Sequence, residues 1–392
     1  MTTLPPGGWR ETAAVRAVVA ALSAGGTRVR FVGGCVRDAL LGEAPADIDI
    51  ATPDPPKVVM KLARAAGLRA LPTGIDHGTV TVIVDRQPVE VTTLRRDVET
   101  DGRHALVAFT DDWRVDAERR DFTINALYAD PDGTVFDPVG GLADLGAGIV
   151  RFIGDPNRRL AEDYLRALRF FRFHARFAKG PPDAAALAAI RAAAPELRRL
   201  SAERVSTELL KILALPRAVE AVSLMAAAGV LAVLLPEATE GPRLGSVLAA
   251  GPGDGLLGLA ALLPDDPAAG LAVAARLRLS RAQGRRLAEA LAPLDLDSGP
   301  VARRVLLYRA GRQALRDRLI LAGRAGELPA LAAMPDAVFP LKGADLLAIG
   351  VGKGPGLGHL LGAIEDWWLA EGLAPDRDAC LTEARRRIAA GG

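Results

Sequence analysis

The sequence has 392 residues, half of them hydrophobic, with 49 Lys and Arg against 47 Asp and Glu and a formal net charge of +2. This length predicts two or three structural units with ample material for a core, and near neutrality argues against indiscriminate polyanion binding through overall charge. The two cysteines lie far apart in the sequence, which fits a reducing compartment. The sequence has no run of about 18 apolar residues, no signal-peptide pattern and no Cys/His zinc cluster. These features predict a cytoplasmic protein without membrane partners.

The first distinctive segment joins a predicted buried strand end, residues 29–32, to a glycine turn and a helix. Gly33 and Gly34 allow the backbone to approach a ligand that no side chain would tolerate. The following helix would direct free N–H groups and Arg37 towards that ligand, which suits a phosphate. The alternative is an ordinary strand–turn–helix with Arg37 on its surface.

A pair of carboxylates follows in the alternating segment 47–50. In a strand, Asp47 and Asp49 would point to one side and the two isoleucines into the core. Two close carboxylates repel each other unless a cation lies between them, and hard oxygen ligands near a phosphate site indicate Mg²⁺. The alternative is a solvated edge strand or a turn.

The next segments predict a helix at 57–66 and strands at 79–84 and 89–94. Glu90 faces away from its apolar neighbours, so it is either a third carboxylate of the site or an exposed strand residue. Residues 95–120 are charged and lack periodicity, which predicts a long mobile loop.

After this loop, Arg120 and Asp121 are predicted to open a helix, with Asn125 one turn later. Arg120 would neutralise phosphate charge, and Asp121 would either cap the helix or order Arg120.

A strong helix is predicted at 159–178, and only helices beyond it. Asp163, Arg166 and Arg169 are spaced three residues apart and would share one face of the helix. From the helix pattern alone, a salt-bridge ladder on a wet surface is favoured. The fold class is therefore α+β, with a mixed-sheet head followed by an all-helical region.

Five segments in this order resemble the class II nucleotidyltransferase superfamily, which holds the tRNA CCA-adding enzymes and bacterial poly(A) polymerases. They cover roughly the first 210 residues and are much more specific together than a lone glycine pair or Asp-x-Asp. The segments are 33–52, 119–126, 137–144, 162–169 and 201–208.

The resemblance implies a polymerase-beta-like catalytic head at 1–145 and a helical neck with base recognition at 146–215. It further implies a helical body at 216–335 and a helical, tRNA-binding tail at 336–392.

The activity implied is template-independent addition or repair of the 3′-terminal CCA of tRNA from CTP and ATP. Asp47, Asp49 and Glu90 would be catalytic, with Asp47 and Asp49 as Mg²⁺ ligands, and pyrophosphate would leave. The partner would be the tRNA acceptor end, and the oligomeric state stays open. The alternatives are a CC-only or A-only enzyme, a poly(A) polymerase, or an inactive RNA-binding homologue, against which the intact Asp47/Asp49 pair argues.

The resemblance assigns nucleotide binding to one set of residues, which is Gly33, Gly34, Arg37, Arg120, Asp121, Asn125, Asp163, Arg166 and Arg169. Cytosine and adenine each carry an amino donor beside a ring-nitrogen acceptor, whereas uracil and guanine present a carbonyl beside an N–H. Asp163 beside Arg166 matches the first pattern, so one fixed pair would accept CTP and ATP and reject UTP and GTP.

Two features separate the relatives. In the family a loop corresponding to 96–109 helps the switch from C to A addition; Asp101-Gly102-Arg103 is present here, but His104 departs from the usual pattern. Segment 74–82 lacks the Gly-Arg-Arg/Lys-Phe stretch of bacterial poly(A) polymerases, which favours the CCA-adding group.

Overall fold

The protein is described by a computed structural model that covers residues 2–100, 105–239, 242–297 and 299–390, with the backbone alone at 97–100 and 105–106. The chain divides into two compact units, Met1–Pro236 and Glu237–Gly392. The first contains all the described strands and the second only helices, which confirms the predicted α+β class. The boundaries of the four predicted domains stay predictions.

A seven-stranded mixed sheet forms the framework of the first unit, in the order β3-β4-β5-β2-β1-β8-β9. Its strands are β1 (Arg30–Val32), β2 (Asp49–Thr52), β3 (Arg69–Gly74), β4 (Thr79–Val84), β5 (Gln87–Thr93), β8 (Tyr128–Ala129) and β9 (Val135–Phe136). β2 and β5 run parallel, and their register sets Asp49 opposite Glu90. The strands predicted at 79–84 and 89–94 are thus confirmed, and Glu90 is exposed between buried valines.

Five helices accompany this sheet. They are α1 (Ala13–Ser23), α2 (Gly34–Leu40), α3 (Pro56–Ala65), α4 (Trp113–Glu118) and α5 (Gly141–Ala147), with short 3-10 turns at Gly8–Glu11, Ile75–His77 and Thr123–Asn125. α1 begins where the Thr12 hydroxyl accepts the N–H of Val15, and its buried face carries Val18 and Leu22. The helix predicted at 57–66 corresponds to α3.

The prediction of a loop at 95–120 was wrong. Strands β6 (Arg95–Thr100) and β7 (Ala105–Phe109) pair antiparallel, and α4 follows them. The apolar residues of β7 were the overlooked strand signal, because the charges before them dominated the segment. Residues 101–104, with Asp101-Gly102-Arg103 and His104, lie outside the described residues.

The helix predicted to open at Arg120 was also wrong. α4 ends at Glu118, and its N-terminus lies at Asp112, whose carboxylate accepts the N–H groups of Arg114 and Val115. Arg120 therefore follows a helix rather than starting one.

The rest of the first unit is helical. It comprises α6 (Pro156–Glu162), α7 (Leu165–Phe177), α8 (Ala184–Ala193), α9 (Ala202–Leu213), α10 (Ala218–Ala227) and α11 (Val230–Leu234), with a 3-10 segment at Ala194–Arg199. The single helix predicted at 159–178 is two helices, because Asp163 adopts an extended backbone with φ −158°. Its carboxylate accepts the N–H of Leu165 at 3.1 Å and so starts α7 afresh.

The second unit consists of helices in the part that the structure describes. They are α12 (Arg243–Ala250), α13 (Gly255–Ala261), α14 (Pro267–Arg276), α15 (Arg281–Leu291), α16 (Pro300–Ala310), α17 (Arg312–Leu321), α18 (Leu328–Ala333), α19 (Gly343–Ala348), α20 (Pro355–Ala370) and α21 (Arg377–Ala390). One apolar cluster gathers around Leu315 and Leu319, and another around Leu346 and Trp368. Across the described ranges, the helices are too short or too polar to cross a membrane.

Candidate nucleotidyl-transfer site

Three carboxylates line one cavity of about 600 Å³ in the first unit. Asp49 begins β2 opposite Glu90, and Asp47 lies on the exposed bend before the strand. The strand predicted from residue 47 thus starts two residues later. The structure nevertheless brings together the three residues that the sequence singled out as catalytic.

The electrostatics of this cavity suit a cation. Burial raises the pKa of the Asp49 carboxyl to about 6, and the carboxylates of Glu90 and Asp47 act in the same direction, whereas Arg120 opposes them. A divalent cation between these oxygens would relieve their mutual repulsion. Among the described residues no group of three His, Cys, Asp or Glu is arranged to hold a metal ion. Asp47 and Asp49 nevertheless supply hard carboxylate oxygens, and Mg²⁺ typically takes one or two carboxylates together with substrate phosphates and water.

The glycine turn approaches Arg120 and Asn125. Gly33 has φ 74° and ψ −121°, and its N–H donates to the carbonyl of Leu127. A Cβ at Gly33 would lie 3.4 Å from both Nη1 of Arg120 and the carbonyl oxygen of Asn125. The positive φ and this close approach both favour glycine there. Gly34 begins α2, as the sequence predicted.

Arg120 lies against the glycine turn, and its charge acts on Asp49. Its guanidinium donates to Asp116 at 3.1 Å and to the Tyr128 hydroxyl at 3.3 Å, and its side chain stays 20% exposed. Although burial favours the neutral form, Tyr128 and Asp116 raise the pKa of Arg120. Arg120 therefore presents a fixed positive charge that an anion can reach.

Asp121 does not order Arg120. Its carboxylate accepts the N–H of Phe122 and the side-chain amide of Asn125, and it pairs with Arg169 at 2.6 Å. Burial opposes ionisation, but Arg169 and Asn125 hold the pKa of the Asp121 carboxyl below its usual range. Of the two predicted roles, ordering Arg120 is excluded by these contacts.

Arg37 is buried rather than directed at solvent. Its guanidinium donates to Asp38 at 2.8 Å and to the Asn125 side-chain oxygen at 2.5 Å, and it stacks 4.3 Å from the Phe177 ring. Burial lowers the pKa of Arg37, and Asp38 counteracts this. Through Asn125 and Asp121, Arg37 and Arg169 belong to one hydrogen-bonded chain that connects α2 to α7.

The predicted pair of Asp163 and Arg166 is divided between other partners. Asp163 pairs with Arg204 at 2.6 Å, and Arg166 pairs with Glu162 at 2.6 Å. The interpretation that both lie on one helix face was wrong, because the chain is extended at Asp163. Arg166 also donates to the main-chain carbonyl of Arg119 at 3.3 Å.

Several residues with structural importance at the site were not found from the sequence. Asp116 lies four residues before Arg120, a spacing that places both on neighbouring turns. Arg172 continues the three-residue spacing of Arg166 and Arg169, and it pairs with Glu208 at 2.6 Å. The spacings were visible, but the partners that select these side chains come from tertiary packing.

Comparisons with known proteins agree with this geometry. Residues 29–151 match the family model described as the poly A polymerase head domain, and residues 182–241 match a probable RNA and SrmB-binding site of polymerase A. The mitochondrial CCA tRNA nucleotidyltransferase 1 of Mus musculus is 48% identical over 188 residues, covering 47% of this chain and 43% of that protein. The CCA-adding enzyme of Levilactobacillus brevis is 41% identical over 202 residues, covering 50% of this chain and 49% of that protein.

The chain thus spans about half the length of the curated relatives it matches. A solved structure of the Bacillus stearothermophilus CCA-adding enzyme in complex with CTP covers 96% of this chain and 98% of its own, with 26% identity and a TM-score of 0.73. The head region and the 182–241 segment are thus similar to poly A polymerase family models, and the fold of the chain is similar to that of a CCA-adding enzyme.

Proposed function

We propose that this protein is a tRNA nucleotidyltransferase that builds or repairs the 3′-terminal CCA of tRNA from CTP and ATP. The observation that carries the proposal is the joining of Asp47, Asp49 and Glu90 in one cavity, with Arg120 against the glycine turn and its charge acting on Asp49. The relatives that support it are named as a CCA tRNA nucleotidyltransferase and a CCA-adding enzyme.

The reaction joins the tRNA 3′-hydroxyl oxygen to the α-phosphorus of the incoming nucleotide. The bond from that phosphorus to the bridging oxygen of pyrophosphate breaks, and pyrophosphate leaves with the electron pair. Asp47 and Asp49 would hold Mg²⁺, which when bound favours loss of the hydroxyl proton and stabilises charge on the leaving group. Glu90, across from Asp49, would accept the hydroxyl proton directly or through water.

The triphosphate would lie against the glycine turn. Gly33 and Gly34 permit close approach of the backbone, and Arg120 supplies a partly exposed charge beside them. Arg37, Asn125, Asp121 and Arg169 would keep the surrounding walls in place and contribute positive charge.

Base selection would use Asp163 and Arg166. A carboxylate and a guanidinium together accept from the amino group and donate to the ring nitrogen that cytosine and adenine share. In the structure these two side chains are held by Arg204 and Glu162. Binding of a base would therefore replace part of these ion pairs with hydrogen bonds to the base.

The helical regions would hold the acceptor end of tRNA by its shape and backbone. We also propose a cytoplasmic location, which the free, buried Cys35 and Cys380 support. Three curated relatives are named as mitochondrial, so fractionation of the source cells is the check, and recovery with an organelle would contradict this location.

The carboxylate assignment is tested by Asp47→Asn and Asp49→Asn, separately and combined. Both substitutions keep side-chain size but remove the charge that would hold Mg²⁺, so we expect incorporation of labelled CMP into tRNA to fall by at least about 10³-fold. Filter binding of tRNA should stay within about twofold of the unmodified protein. Asp85→Asn, at an exposed hairpin turn in the same unit, is the matched control. Incorporation that persists in the double variant would overturn the assignment.

A further inference from the structure

One buried carboxylate outside the proposed catalytic set gathers an unusual number of donors. Asp116 in α4 is 1% exposed. Its Oδ1 accepts the main-chain N–H of Arg95 at 3.2 Å and the guanidinium of Arg119 at 2.9 Å. Its Oδ2 accepts Arg120 at 3.1 Å and the Tyr128 hydroxyl at 2.7 Å. Both oxygens are therefore fully engaged by charged or polar donors.

These contacts fix the position of Arg120. The Tyr128 hydroxyl donates to Asp116 and accepts from Nε of Arg120 at 3.3 Å, so the three side chains form a closed triangle. Tyr128 is itself fully buried and packs edge-on against Trp113. Although burial favours the neutral acid, Arg120 and Arg119 hold the pKa of the Asp116 carboxyl well below its usual range. Asp116 is thus a charged carboxylate that is held in place by Arg120, Arg119 and the buried Tyr128.

The same helix reaches the proposed base-selecting arginine. The carbonyl of Arg119 at the end of α4 accepts Arg166 at 3.3 Å, and the carbonyl of Glu118 accepts Arg159 at 2.5 Å. Arginines at the last carbonyls of a helix suit both their unpaired oxygens and the negative end of the helix dipole. A shift of Arg119 would therefore move a hydrogen-bond partner of Arg166.

We propose that Asp116 is a positioning residue that sets Arg120 for the triphosphate and, through Arg119, sets Arg166 for the base. This rests on the proposed function, since it assigns those two arginines to the nucleotide. Asp116 itself does not touch the substrate. Asp116 also accepts the main-chain N–H of Arg95, so the first residue of β6, which pairs with β7, is hydrogen-bonded to the same carboxylate.

The test measures equilibrium binding of CTP and of UTP, each with Mg²⁺, to the full chain by titration calorimetry. Asp116→Asn keeps the size of the side chain but removes its negative charge and replaces one acceptor oxygen with an amide nitrogen that donates. We expect the Kd for CTP to rise by about tenfold or more and the preference for CTP over UTP to fall by a similar factor. Tyr128→Phe removes only the hydroxyl and should raise the Kd for CTP by about threefold.

Asp317→Asn is the matched control. Asp317 is equally buried and pairs with Arg286 at 2.8 Å, but it belongs to the second unit. It should lower thermal stability while leaving the Kd for CTP within about twofold, which separates positioning from general loss of stability.

The positioning role would be overturned if the Asp116→Asn and Tyr128→Phe variants both kept the Kd for CTP and the preference for CTP over UTP of the unmodified protein, whatever their stability. Should Asp116→Asn fail to fold, the Tyr128→Phe result alone decides. An unmodified protein that binds CTP but incorporates none would contradict the proposed function while the binding comparison still tests Asp116. An unmodified protein that binds no CTP would contradict both.

Discussion

At the scale of single residues, the charged side chains around the three carboxylates are already paired. Arg37 is matched by Asp38, Arg120 by Asp116 and Asp121 by Arg169. Buried charges without partners would cost several kcal/mol each, so pairing allows cations to be held near the cavity before a nucleotide arrives. Such preorganisation means that the side chains need not be reordered during the reaction.

The base-selecting role of Arg166 gives a prediction at this scale. Replacing Arg166 with Ala removes the donor proposed for the ring nitrogen shared by cytosine and adenine. We expect the ratio of kcat/KM for CTP over UTP to fall by at least about tenfold, because the ring nitrogen of cytosine would then lack its hydrogen-bond donor.

Arg158→Ala is the control for this variant. Arg158 also pairs with Glu162, at 3.3 Å, but its side chain is 75% exposed. Its removal should leave base choice unchanged. Undiminished rejection of UTP by Arg166→Ala, measured by single-nucleotide incorporation, would remove Arg166 from the template role.

At the scale of elements, close backbone contact sets the position of the 3-10 turn at Thr123–Asn125. Gly141, the first residue of α5, approaches this turn so closely that a Cβ would lie 2.2 Å from the carbonyl oxygen of Thr123. The Thr123 hydroxyl also donates to Asp144 in α5 at 2.6 Å. This 3-10 turn also contains Asn125, whose side-chain oxygen accepts a hydrogen bond from Arg37.

Gly141→Ala should therefore force α5 and the turn apart. We expect the free energy of unfolding to fall by about 1–3 kcal/mol, as for overpacking elsewhere, together with a weaker affinity for CTP. Gly146→Ala in the same helix is the control, since a Cβ there meets open space. Chemical denaturation of the two variants is the measurement, and equal stability would show that the contact carries no strain.

Elements were predicted well where periodicity was strong and badly where two local signals competed. The strands β4 and β5 alternate cleanly, and the sequence predicted both. The break at Asp163 was missed because helical spacing continues across it, while the capping of Leu165 by the Asp163 carboxylate ends one helix and starts another. The charges of β6 concealed the hairpin in the same way.

At the scale of the whole molecule, the structure brings together the three carboxylates that the sequence singled out, but it pairs several charged side chains with partners that the sequence did not predict. The glycine turn and the pair Asp47 and Asp49 occupy neighbouring segments, so local spacing was enough to propose their meeting, whereas Glu90 joins them through the pairing of β2 with β5. The pairing of Asp163 with Arg204 joins residues 41 positions apart, and that of Asp121 with Arg169 joins residues 48 apart. Such pairs depend on how helices pack, which spacing along one chain does not determine.

The most direct test of the central claim is nucleotide incorporation into a tRNA transcript that ends at the discriminator base, with Mg²⁺ and CTP alone, ATP alone, or both. We predict growth by two residues with CTP alone and a third residue only when ATP is present. Growth that stops at CC with both nucleotides, or a long tail with ATP alone, would contradict CCA addition and indicate one of the related activities.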